Sequence, residues 1–174
     1  CMTTEEEKIL GKYKSTVAFN AAIAARRGLS PNIKELENFG CKIVMGSDNM
    51  DENMIVVMRT GMFMERVRMA DGRNPSPNEA YQWATHNGYK SLGISNAGTL
   101  TKGSKADLII VNLMQPHLTP QTDIVSNWVH MGQNHDVESV MVDGKWIMKE
   151  HKILNLDEEY IINKANEIAA RVWK

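Results

Sequence analysis

The chain has 174 residues, 43% hydrophobic and 24% charged, with 20 basic against 21 acidic residues and a net charge of -1. Such a composition fits one soluble globular domain with room for a small appendage, and it excludes the basic surface of a nucleic-acid binder or a field that steers onto membranes. No apolar run approaches the roughly 20 residues of a bilayer span. The cysteines Cys1 and Cys41 stand in no metal-ligand spacing, so reduced thiols and a cytoplasmic location, without a signal peptide, are expected.

Thr3 or Thr4 followed by three glutamates predicts a capped helix over about residues 4–13. Residues 15–19 (STVAF) are short, apolar and β-branched, as in a buried strand, and residues 21–28 read as a loop or short helical turn. Pro31 is expected at the first position of a helix over residues 32–39 that stops at Gly40. A second buried strand follows at residues 41–45 (CKIVM), broken by Gly46, Ser47, Asp48 and Asn49. Ile55, Met58, Met62, Phe63, Met64 and Val67 then recur near helical spacing, which predicts a long amphipathic helix over residues 54–69. Its methionines read better as a core face than as an adaptable binding surface. Ser76 with Pro77 predicts a further helix running to about Leu92.

After Gly98 the texture becomes that of a small β unit. Residues 106–113 and 137–147 read as strands, the latter folded at an Asp143-Gly144 hairpin turn, with a short helix over residues 123–131 between them. A terminal helix over residues 157–173 places Ile161, Ile162, Ala165, Ile168, Ala169 and Val172 on one side. The expected organisation is residues 1–97, residues 98–154 and a closing helix over 155–174. Strand-helix alternation in the first part implies parallel strands with crossover helices. Two such strands leave open edges, so this sheet is expected to need further strands and the chain to associate.

The sharpest chemical signal is a buried strand delivering Gly46, Ser47 and then Asp48 at its C-terminal end. A carboxylate there can bind a cation and deprotonate its water; the plainer reading is that Asp48 caps the next helix or fixes a turn. Asp51 and Glu52 suit the start of that helix, where carboxylates favour the dipole.

Downstream, Ala84-Thr85 with Asn87-Gly88, then Leu92-Gly93, then Gly98-Thr99-Leu100 with Gly103 and Lys105-Ala106-Asp107-Leu108-Ile109-Ile110-Val111 form a string that resembles the C-terminal signature of the amidohydrolase superfamily. Residues 115–120 (QPHLTP) and the hairpin of residues 140–145 match the branch holding triazine hydrolases, guanine deaminases and S-adenosylhomocysteine/methylthioadenosine deaminases. The resemblance covers residues 3–154 and implies an α/β fold: the C-terminal part of a (β/α)8 TIM barrel plus part of an appended β-sandwich. Barrel helix 6, strands 7 and 8 with their helices, and the last sandwich strands would be present.

On that reading Asp48 matches the metal-binding aspartate that also acts as general base. One divalent metal, zinc or alternatively iron, would serve deamination or dechlorination of a small heterocyclic substrate. Residues 102–107 would be structural. Relatives carry Ala-His-Cys-Pro after strand 7, whereas this sequence has Ala18-Phe19-Asn20-Ala21. Phe19 would then either line the pocket or pack in the core, with Asn20, and less directly Asn49 or Asp51, near the substrate mouth. The family's histidine ligands have no counterpart: His86, His117, His130, His135 and His151 are all expected to be surface or supporting residues. The alternative is a non-catalytic piece that acts as a folding or assembly partner, through homo-oligomers or the missing half.

Overall fold

The computed structural model describes residues 2–49 and 51–173. Helix α1 (Thr4–Lys12) begins with a capping box in which the Thr3 hydroxyl accepts from Glu6 N and Thr3 N donates to Glu6 Oε2. Strand β1 (Thr16–Phe19) follows, then α2 (Ala21–Arg26) and α3 (Ile33–Asn38). Helix α3 starts later than expected, with Pro31 ahead of the cap rather than inside the first turn. Tertiary partners set this start: Asn32 Nδ2 donates to Glu7 Oε1 at 2.9 Å, and Lys34 N donates to the buried Glu65 Oε2 at 3.0 Å.

Strand β2 (Lys42–Met45) lies parallel to β1, with Thr16 opposite Lys42 and Phe19 opposite Met45. These two strands form a two-stranded sheet, and among the described residues each keeps one edge unpaired. Helix α4 (Met54–Met69) crosses over them with Ile55, Met58, Met62 and Glu65 turned inward. Phe63 and Val67 fall outside that stripe, Val67 being 82% exposed. Gly61 lets α4 approach: a Cβ there would meet Met45 Cε at 2.6 Å and Phe19 Cε1 at 3.0 Å.

The single helix expected after Ser76 is two, α5 (Pro77–Ala84) and α6 (His86–Ser91). The chain breaks at Thr85, whose hydroxyl donates back to Tyr81 O, while Asn87 Nδ2 donates to Ile43 O at 2.9 Å and ties α6 to β2. The core gathers Phe19, Ile33, Leu36, Ile43, Val57, Met62 and Trp83 with Trp128 and Val129 from α7 (Ile124–Met131).

The second unit is an antiparallel sheet in the order β3 (Leu108–Val111), β4 (Val137–Val142), β5 (Lys145–Lys149) and β6 (Lys152–Ile153). The β4–β5 turn has positive φ at Asp143 and Gly144, as the sequence leads one to expect. The β5–β6 turn repeats that geometry at Glu150 and His151, residue types that give no turn signal. Helix α8 (Glu158–Val172) closes the chain with no buried residue. Among the described residues no helix is long and apolar enough to cross a bilayer.

Candidate active site

Parallel pairing brings the C-terminal ends of β1 and β2 together, so Asn20 and the Gly46–Asn49 turn emerge side by side. Gly46 N donates to Phe19 O at 3.4 Å, and a Cβ on Gly46 would lie 2.5 Å from Asn20 Oδ1. Glycine at this position therefore makes room for the Asn20 amide over the strand end. Asp48 sits two residues further on, solvent-exposed, with φ of 56°, a left-handed conformation that aspartate tolerates better than most residues. Its Oδ1 accepts from Asn49 N at 2.5 Å. The cap of α4 is Asn53 rather than Asp48: Asn53 Oδ1 accepts from Ile55 N, and Asp51 Oδ1 accepts from Asn53 N.

Phe19 is 3% exposed, its ring packed under Gly61. It also contributes, with Asn20, Arg27, Asn32, Ile33 and Glu7, to the wall of a cavity of about 350 Å³ beside β1. Neither Asp48 nor Asn49 lines this cavity, so it flanks the strand tips rather than holding the carboxylate. Glu7 is buried there, with Oε2 lacking a hydrogen-bond partner.

His86 opens α6, His130 lies in α7 with Nδ1 against Ser126 O, and His151 occupies the β5–β6 turn. The remaining two meet. His117, in the short 3-10 turn Pro116–Leu118, and His135, in the turn Asn134–Asp136, both reach the buried Asp136. Burial pushes the Asp136 carboxyl up, but hydrogen bonds from His117 and Gln133 N, with the nearby His117 and His135 charges, hold it below the ordinary value. Separations of 18 and 19 residues concealed this trio in the sequence; the Asp136 carboxylate just after His135 was its only local trace.

A parallel strand pair with a carboxylate and an amide at its C-terminal tips, covered by α4 and followed by an antiparallel sheet, fits part of a (β/α)8 barrel. The Amidohydrolase family pattern matches residues 2–147, and the chain belongs to that family. It is 35% identical over 178 aligned residues to a 5-methylthioadenosine/S-adenosylhomocysteine deaminase of Syntrophomonas wolfei, covering 98% of this chain and 41% of the relative. A 5'-deoxyadenosine deaminase of Methanosarcina mazei is 34% identical over 153 residues, 83% of this chain and 35% of its own length. The fold matches that of a zinc-bound adenosine deaminase from Xanthomonas campestris with a TM-score of 0.90 at 19% identity, over 98% of this chain and 40% of that one. Atrazine chlorohydrolase from Arthrobacter aurescens, complexed with zinc, gives 0.84 at 20% identity over 96% and 38%. The chain thus spans about 40% of the length of these relatives.

Proposed function

We propose that this chain supplies the Asp48 corner of a metal-dependent deaminase acting on an adenine-type nucleoside. Asp48 at the C-terminal tip of β2, in a chain of this family, is the observation that carries the reading; the names of the 34–35% identical relatives support the substrate class. A dechlorinating activity has only likeness of fold behind it.

A catalytic zinc takes three protein ligands. Among the described residues Asp48 belongs to no three-ligand cluster, and it fits such a centre as one ligand of a set. When bound there, one divalent cation, zinc or alternatively iron, would bring the pKa of a water towards neutrality. Asp48 is exposed enough to accept that water's proton and return it to the departing amino group, which leaves as ammonia. Asn20 and Asn49 are the polar groups we assign to the substrate side of the mouth, with Phe19 backing that wall from the core.

The open edges of β1 and β2 favour a companion reading in which the isolated chain associates, with copies of itself or with a segment that pairs those edges. The deciding measurement is ammonia release from methylthioadenosine, S-adenosylhomocysteine and 5'-deoxyadenosine by the protein carrying this segment. Asp48→Asn should reduce turnover by about 10²- to 10⁴-fold, the usual worth of a positioned acid–base group. Turnover unchanged by the substitution rejects the role. An active Asp48→Asn protein would leave only assembly for this corner.

A further inference from the structure

We infer that His117, His135 and Asp136 form a second divalent-cation site of the zinc class, separate from the Asp48 turn. One ligand atom from each lies within 4.8 Å of the other two. His117 Nε2 is 2.8 Å from Asp136 Oδ2, and His135 Nε2 is 3.4 Å from Asp136 Oδ1. A tetrahedral cation with bonds of about 2.0–2.1 Å holds its ligands roughly 3.3 Å apart, a spacing that falls between those two distances. Two imidazoles and one carboxylate are a donor set for zinc-like transition metals rather than for calcium or magnesium.

The carboxylate carries the independent observation. Asp136 is 0% exposed, yet its Oδ1 makes no hydrogen bond. The 3.4 Å approach of His135 is within ion-pair range but lacks hydrogen-bond direction. A buried carboxylate oxygen left without a donor is costly, and it is the kind of atom a cation satisfies. The other oxygen is held in place by Gln133 N at 2.8 Å, which orients the group toward the two rings. The His135 side chain is 71% exposed, so a cation can enter from solvent and keep one position for water.

Coordination would replace the hydrogen bond between His117 and Asp136. The ring proton moves to Nδ1 or leaves to solvent, and the cation takes its place between nitrogen and oxygen. The site would clamp the turn at Pro116–Leu118 to the start of β4. Through the amide hydrogen bond of Asn53 Nδ2 to Asn134 Oδ1, it would also brace the cap of α4, five residues beyond Asp48.

The test is zinc calorimetry on the tag-free, chelator-treated 174-residue chain, with thermal unfolding as a second readout. One zinc per chain, with a raised Tm, is expected for the wild type and for Asp48→Asn alike. His135→Ala, a change at an exposed side chain, should lose both the binding and the Tm rise while keeping the metal-free Tm. Wild-type binding in His135→Ala, loss of binding in Asp48→Asn, or no stoichiometric zinc in the wild type would each overturn the proposal. Failure here leaves the Asp48 reading untouched, because that rests on turnover.

Discussion

At Glu79 three partners converge on one carboxylate. Oε1 accepts from Lys34 Nζ at 2.6 Å, while Oε2 accepts from both Ser76 N and Ser76 Oγ at 2.8 Å. Burial pushes this carboxyl up, but the Lys34 ammonium and the Ser76 donors outweigh it, leaving the group below its ordinary value. Lys34 is shifted the other way: burial lowers it, yet Glu37 and Glu79 together raise it. The sign for stability follows from the carboxylate. A depressed folded pKa contributes stability that is complete above the unfolded carboxyl's value, about 4.3, and is lost as pH falls through the folded value. Glu79→Gln should therefore give a flatter acid limb in a plot of urea midpoint against pH. An unchanged acid limb would show that the pair contributes nothing.

Between elements, α1 lies tight against the end of α3. A Cβ on Gly11 would lie 2.2 Å from Phe39 O and 2.6 Å from Phe39 C, which are backbone atoms without a rotamer to yield. Helix propensity alone favours alanine over glycine by about 1 kcal/mol. Overpacking of a tight contact costs about 1–3 kcal/mol and should win here. Gly11→Ala is thus expected to lower the urea midpoint, despite sitting in a helix. A stabilised variant would mean that α1 can slide away from α3. The same element scale explains the split after Ser76, where the bond from Asn87 to β2 overrides a pattern that by propensity alone continues as one helix.

Across the whole molecule, α4 is tied to the end of α7. Arg59 on α4 donates through Nε to Val129 O at 3.0 Å and through a terminal nitrogen to Gly132 O at 2.6 Å. Burial holds the Arg59 guanidinium below its usual value, consistent with an internal cross-brace. By contrast α8 buries nothing, its apolar residues Ile161, Ile162, Ile168 and Val172 all facing solvent. Removing residues 156–174 should therefore leave unfolding free energy within about 0.5 kcal/mol, the range typical of surface changes. A larger loss in urea titration would place α8 against the rest of the chain.

Local chemistry made much of this legible from the residues alone. The bounds of α4, the Asp143-Gly144 hairpin, the caps at Thr3 and Ser76, and the Gly-Ser-Asp turn after β2 all arise from neighbours a few positions apart. The joined motifs of residues 84–111 pointed to the family that the comparison then showed. What tertiary structure alone decided involves partners far apart along the chain. Glu7 and Glu65 set the start of α3, Ile43 O fixes α6, Gly61 places Phe19 in the core, and two short turns carry His117 and His135 onto one buried carboxylate. Periodicity and capping report a residue's near neighbours, whereas a buried polar atom takes its partner from wherever the packed chain brings one within reach.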